Sequence, residues 1–182
     1  MRASEEKRLA WALTGSGHYL RECLDIIHQL QDVDLFLSKA AAELLQQYGY
    51  RHQVGRVFQD KTASSVPVEL FYEGRYHTLV IAPATSNTVA KMVAGISDNL
   101  VTNLYAQAGK TRVPSIVFAC DTEPELDSEA PRENMVKVYP RRIDLKNMEA
   151  LKTFEETTVA ADMQQLHNAI QDRLACLKTS SS

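Results

Sequence analysis

Four consecutive hydroxyl and amide side chains, Thr85-Ser86-Asn87-Thr88, follow the apolar run Leu79-Val80-Ile81-Ala82 and its stop at Pro83. Such residues at the head of a helix-period pattern suit the binding of an anion. The hydroxyls donate, the backbone N–H groups of the first turn lack intrahelical partners, and the positive end of the helix dipole points the same way. Each of the four also favours an ordinary helix cap. One cap needs one residue, so four in succession point to a ligand. Two other turns carry related chemistry: Thr14-Gly15-Ser16-Gly17 closes the apolar run Leu9–Leu13, and Ser38 closes Val33–Leu37.

The elements that must position these turns can be read in order. Leu9–Leu13 reads as a buried strand ended by the Gly-rich turn. From Tyr19 onward, Leu20, Cys23, Leu24, Ile27 and Leu30 recur at helical spacing. Val33–Leu37 is a second strand, and Ala40–Tyr48 a helix stopped by Gly49. The polar stretch Arg51–Val66, with Gly55 and the cluster Thr62-Ala63-Ser64-Ser65, reads as mostly loop. Thr78–Ala82 is a third strand. Helices over Asn87–Ala94 and Asp98–Ala108 follow, broken at Gly95-Ile96-Ser97, where the serine and aspartate suit a cap. Val113–Ala119 is a further buried strand. The acidic segment Asp121–Glu133, with two prolines, reads as an exposed loop, Val136–Tyr139 as a late strand and Met163–Leu177 as a final amphipathic helix. Strands alternating with helices predict an α/β protein whose mostly parallel sheet is covered on both faces. Ligands of such sheets sit beyond the carboxyl ends of the strands. The three turns above all fall at such ends, and their coincidence is stronger evidence than any one of them.

Size and composition agree with one domain over residues 1–178 and a disordered tail at 179–182. Hydrophobic residues make up 45% and charged residues 24%, and the net charge is −3. That balance gives no electrostatic case for nucleic acid or an anionic membrane. No apolar run approaches the roughly 20 residues that cross a bilayer, and the mixed charges and short apolar stretch of the first residues read against a secretory signal. Cys23, Cys120 and Cys176 are an odd number, far apart and without a CxxC pair. This argues against disulfides or zinc and for a reducing, cytoplasmic setting.

Gly15-Ser16-Gly17 is a GxG turn whose third dinucleotide glycine is replaced by Leu20. Asp34 lies at the wrong end of its strand to hold a ribose, and no GK[ST] follows. A mononucleotide phosphate therefore fits better than a dinucleotide, although a GxG turn is equally a tight connection. Ser38 is either a cap for its helix or a phosphate contact. His18, His28, His52, His77 and His167 show no metal-ligand spacing; His18 either faces the ligand or is an exposed loop histidine. Cys120 ends a buried strand near these turns, where a small hydrophobe is common. No catalytic residue is assigned.

The segment APATSNTVAKMVAGISDNL resembles the FMN-binding segment of the flavoprotein superfamily, which includes flavin-containing cysteine decarboxylases and flavin prenyltransferases. The resemblance runs from Ala10 to about Asp121 and is densest over Leu79–Lys110. Over GRYHTLVIAPATSNTVAKMVAGISDNLVTNLYAQAGKTRVP the chain is similar to archaeal flavoproteins and the related dihydromethanopterin reductases. The resemblance implies a flavodoxin-like (Rossmann-like) three-layer sandwich that binds FMN and assembles as a homo-oligomer built from trimers. Carried over by position, Gly15, Ser16 and Gly17 would lie beside the FMN phosphate or ribityl chain. Ser38, Thr85 and Ser86 would bind phosphate, Asn87 and Thr88 would hold the helix start, and Cys120 and Asp121 would approach the isoalloxazine.

Departures from the family pattern bear on the chemistry. Cysteine decarboxylases carry a histidine in an HIxL-type stretch, where this chain reads Pro67-Val68-Glu69-Leu70; His77 does not replace it. Their PxMNxxMW-like motif is replaced by Phe118-Ala119-Cys120-Asp121-Thr122-Glu123-Pro124. Arg141 and Arg142 read as an exposed basic dipeptide rather than a prenyl-phosphate site. The resemblance thus implies an FMN-dependent reductase converting dihydromethanopterin to tetrahydromethanopterin, by hydride transfer from reduced flavin and with a protein or nicotinamide electron donor. The rival expectations are an FMN electron carrier and a flavin-dependent decarboxylase or prenyltransferase.

Overall fold

The structure, a computed structural model, describes residues 7–50, 55–60, 66–130 and 134–180. Its elements run β1 (Arg8–Leu13), α1 (Leu20–Gln29), β2 (Val33–Leu37), α2 (Lys39–Gln47), β3 (Arg56–Gln59), α3 (Val66–Tyr72), β4 (Tyr76–Ala84), α4 (Ser86–Val93) and α5 (Leu100–Lys110). They continue with β5 (Ser115–Ala119), β6 (Leu126–Ala130), β7 (Asn134–Val138), α6 (Arg142–Leu151), β8 (Thr157–Ala160) and α7 (Met163–Ser180). Six strands form a parallel sheet in the order β3-β2-β1-β4-β5-β8, while β6 and β7 pair antiparallel as a separate ribbon. Without the edge strand β3 the order is flavodoxin-like.

Every residue of β2 and β5 is buried, which is why both read as unbroken apolar runs. Alternation along the strands sends Leu9, Trp11, Leu13, Leu35, Val80 and Phe118 to the face covered by α1, α2 and α7. Ala10, Ala12, Phe36, Leu79, Ile81 and Val117 go to the opposite face, under α3, α4, α5 and α6. The result is the three-layer sandwich. Among the described residues no helix is long and apolar enough to cross a membrane.

Several local expectations change. β3 lies inside the segment expected to be loop: Val57 and Phe58 are half-buried, and parallel pairing to β2 supplies the order that a four-residue edge run does not signal. The Thr62–Ser65 cluster lies outside the described residues. Pro83 does not end β4, which runs on to Ala84; the missing N–H falls where the pairing to β5 shifts register, a place where a strand tolerates proline. The α5 cap is Asn99, whose side chain accepts from Thr102 N at 3.0 Å, while Asp98 pairs with Lys91 at 2.7 Å instead. β6 occupies part of the acidic segment expected to be loop, because pairing opposite β7 sets Leu126 against Val138 and Ser128 against Val136. α7 carries on to Ser180, where the sequence suggests a tail; the Thr179 hydroxyl donates to Cys176 O at 2.9 Å.

His77 lies near the amino end of β4, with Nδ1 2.8 Å from Thr78 Oγ1. Arg173 of α7 donates to His77 O at 3.0 Å and Thr78 Oγ1 at 3.1 Å. Burial, then the charges of Arg173 and Lys7, lower the imidazole pKa from 6.5 to about 4. Between those values the unfolded chain holds a proton that the folded chain does not. The stability from this neutral imidazole is therefore intact above pH 6.5 and is lost as pH falls toward 4. Urea midpoints should fall over that window, and His77→Gln should flatten the slope; an unchanged slope in the variant would refute this assignment.

Candidate functional site

The direction in which strands are added to the sheet reverses between β1 and β4. From β1 the chain builds outward to β2 and β3, and from β4 outward to β5 and β8. The loops after β1 and β4 therefore diverge and leave a crevice at the carboxyl edge, where parallel sheets bind ligands. Thr14, Gly15, Ser16 and Gly17 leave β1 on one side of it, and Thr85–Thr88 leave β4 on the other.

The two sides are tied by Thr14, a residue missing from the predicted site set. Its buried hydroxyl donates to Pro83 O at 2.7 Å and accepts from Thr85 N at 2.9 Å. One side chain thus sets the position of the α4 cap. Thr14→Val keeps the shape and leaves the Thr85 N–H without its acceptor, which should cost about 1–3 kcal/mol. A lower urea midpoint with an unchanged far-ultraviolet spectrum is the expected reading.

Around this link the sequence-predicted residues gather as follows. The Gly15 Cα approaches α2 so closely that an added Cβ would lie 2.4 Å from Ala40 Cβ. Ser38 caps α2 by accepting from Ala41 N at 3.1 Å, and its own N–H donates to Leu13 O at 3.1 Å. Thr85 caps α4 by accepting from Thr88 N at 3.3 Å, and shares a hydrogen with Thr88 Oγ1 at 3.1 Å. Thr88 is buried, with its hydroxyl turned to Thr85, whereas Asn87 is exposed on the first turn of α4. The Ser86 hydroxyl donates to Asp121 Oδ2. Cys120 N donates to Ala84 O at 2.9 Å, which holds the end of β5 beside the end of β4. Gly15, Ser16, Gly17, Ser38, Thr85, Ser86, Asn87, Cys120 and Asp121 thus share one edge of the sheet, and the amino ends of α2 and α4 open onto it.

Burial pushes the Cys120 thiol up to about 12; a Ser16 hydrogen bond opposes this and the charge of Asp121 adds to it. Such a thiol stays protonated and does not act as a nucleophile. His18 and Tyr19 form an aromatic flank, with ring centroids 3.7 Å apart, and Tyr19 meets Phe118 edge-on at 4.9 Å. Tyr19 holds a left-handed φ of 62° at the head of α1, a conformation costly for a bulky residue. Its phenol is raised by burial and then by Glu22. From sequence Tyr19 reads only as the start of a helix, and its φ is the signal that sequence lacks. His77 and Asp34 lie near the amino ends of their strands, away from this edge.

Comparison with known proteins places the chain in a family. DmrB of Burkholderia xenovorans, solved in complex with FMN and described as a cubic protein cage for redox transfer, is 48% identical; the match covers 97% of this chain and 99% of that one, with a TM-score of 0.89. A dihydromethanopterin reductase (acceptor) of Methanosarcina mazei is 36% identical over 142 residues, 69% of this chain but only 59% of that relative's length. A phenylacrylic acid decarboxylase of Aquifex aeolicus, 19% identical over 92% of this chain and 96% of that one with a TM-score of 0.66, shares the fold. The Flavoprotein family model matches residues 1–181. With that match spanning nearly the whole chain and the crevice built as described, the protein belongs to the Flavoprotein family.

Proposed function

We propose that this protein is an FMN-dependent oxidoreductase and, more narrowly, a reductase that converts dihydromethanopterin to tetrahydromethanopterin. The observation that carries the reading is the gathering of the Gly15–Gly17 turn, Ser38 and Thr85–Ser86 where the amino ends of α2 and α4 face one crevice. A phosphate would sit there: Gly15 holds its turn close against α2, and the first N–H groups of both helices lack intrahelical acceptors. Ser38 and Thr85 would donate hydroxyls to that phosphate, with the Ser16 turn along the ribityl chain. Ser86 would contribute its backbone N–H, because its hydroxyl is engaged by Asp121. Thr88 would act through Thr85, and Asn87 would face the ribityl side. Tyr19, Phe118 and the neutral Cys120 give a flat ring an apolar flank that excludes water.

When bound, FMN supplies hydride chemistry suited to a C=N bond of the pterin. The likeness to an FMN-bound protein over nearly the full chain supports the cofactor. The name of the Methanosarcina mazei relative, which this chain matches over 59% of its length, supports the substrate. We also propose assembly as a homo-oligomer built from trimers; the cage described for DmrB supports an oligomer, and Met135, Tyr139 and Ile143 stand exposed on the surface. Light scattering should give a mass that is a multiple of three 20.4 kDa chains; a monomer would refute the assembly.

The direct test of function is the visible spectrum of purified protein, then anaerobic addition of dihydromethanopterin after photoreduction. A yellow protein reoxidised by the pterin is the expected result. Bound flavin that ignores the pterin would overturn the reductase in favour of an electron carrier, a reading that the redox-transfer description of the similar DmrB favours. Absence of flavin after reconstitution would overturn both.

A further inference from the structure

Asp121 is expected from the family resemblance to approach the flavin ring, yet its chemistry suits a different ring better. The residue leaves β5 directly after Cys120, whose N–H is bonded to Ala84 O, so its place relative to the end of β4 is fixed. The Ser86 hydroxyl, on the first residue of α4, donates to Oδ2. The guanidinium of Arg141, at the head of α6, lies within electrostatic reach of the same carboxylate. Arg141 is itself held by Asp144, through bonds of 2.9 and 2.8 Å. A carboxylate has about four acceptor positions, and the bond from Ser86 uses one of them. Asp121 is half-buried, and among the described residues Ser86 supplies the one hydrogen bond its carboxylate receives.

The pyrimidine edge of a flavin presents carbonyl, N–H, carbonyl. A carboxylate gains one bond from that edge and sets its second oxygen against a carbonyl. A reduced pterin carries a 2-amino-4-oxopyrimidine, whose amino group and N3–H are adjacent, parallel donors. These match the two oxygens of a carboxylate, the bidentate geometry that gives strong and specific recognition. A site built to pair with such donors also discriminates sharply against analogues that lack them.

We infer that Asp121 is a substrate-specificity residue rather than a cofactor ligand: held by Ser86, it receives the 2-amino and N3–H groups of the pterin. This rests on the pterin reading above. Asp121 orients the substrate ring in the crevice, and Ser86 couples that orientation to the head of α4, where the phosphate is held.

The test uses the full-length flavoprotein, wild type and Asp121→Asn, with two substrates: dihydromethanopterin and a 2-oxo dihydropterin analogue. An asparagine keeps an oxygen for the Ser86 hydroxyl but presents one acceptor and one donor outward, which pairs with N3–H and a 2-oxo group. The Kd for FMN should stay within about twofold in the variant. Its kcat/KM for dihydromethanopterin should fall about 100-fold or more, while the ratio of 2-oxo to 2-amino substrate rises by at least as much, since sites that pair with a substrate N–H discriminate by up to about 10⁴–10⁵. A merely structural role would not invert substrate preference. The same ranking of the two substrates in both proteins, or loss of FMN from the variant, would overturn the inference while wild-type turnover leaves the reductase reading standing. Wild-type protein that binds FMN and reduces neither pterin would overturn both.

Discussion

Gly15→Ala is expected to strip the protein of flavin, with a loss of FMN affinity of about 100-fold or more and a lowered melting temperature. The cause is steric. An ideal Cβ at position 15 would lie 2.4 Å from Ala40 Cβ, well inside the separation that real Cβ atoms adopt. Ala40 has no flexible side chain to move aside, so α2 or the β1–α1 turn must shift by an ångström or more. Both carry the proposed cradle: Ser38 caps that helix, and the turn is tied through Thr14 to the α4 cap. Positioning errors of this size in preorganised sites cost orders of magnitude in binding or rate. A compensating change makes the expectation sharp. Ala40→Gly removes the opposing methyl, and the remaining neighbours, Ala40 Cα at 3.6 Å and C at 3.7 Å, are at ordinary contact distance. The double variant should recover most of the flavin affinity while giving back about 1 kcal/mol for a glycine in a helix. Fluorescence titration of FMN into each apoprotein reads this directly. Normal affinity in Gly15→Ala alone would remove the close approach from the argument.

Asp34→Ala should destabilise the protein more than any other single change considered, by about 3–5 kcal/mol. The carboxylate is fully buried near the amino end of β2. Arg8 of β1 donates to it at 2.8 Å, Arg56 of β3 at 2.8 Å and the Tyr76 hydroxyl of β4 at 2.8 Å. One side chain therefore links four adjacent strands. Burial, then the bond to Asp34 and its charge, raise the Tyr76 phenol far above its ordinary range, so that phenol acts as a donor at any working pH. Truncation to alanine removes the acceptor from a tyrosine that is 1% exposed and from two arginines at once. The arginines are partly exposed and can turn to water, which puts the cost at the lower end of the range. For a chain of this size a loss of about 3 kcal/mol lowers the melting temperature by roughly 6–12 °C. Asp34→Asn, which keeps an acceptor, should lose less. A melting temperature within 2 °C or so of wild type for the alanine variant would show that these bonds do not hold the sheet together. Because the network lies away from the crevice, flavin affinity measured well below the melting temperature should hold in both variants.

The sequence alone determined the parts of the fold whose signal is local. β1, β2, β4 and β5 announce themselves as apolar runs because strands buried on both faces need no alternation. Ser38 and Thr85 are legible as cap or ligand residues because a hydroxyl before a helix-period run serves one use or the other, and the structure shows the caps. Together with the turn at Gly15–Gly17 they mark the strand ends where we propose a phosphate cradle, and the residues Leu79–Lys110 carry the family likeness. Tertiary structure decided what depends on neighbours far along the chain. β3 is a four-residue edge run that becomes a strand only beside β2. β6 and β7 each read weakly until they face one another. The reversal between β1 and β4 exists only as strand order, and it is what opens the crevice. Thr14 is one more turn threonine until it meets Thr85, 71 residues away; Ser86 and Asp121 meet across 35, and Asp34 and Tyr76 across 42. Periodicity and capping are set by contacts within a dozen residues, so they are written in the local sequence. A hydrogen bond between two strand ends depends on how all the intervening chain packs, and no window of residues contains it.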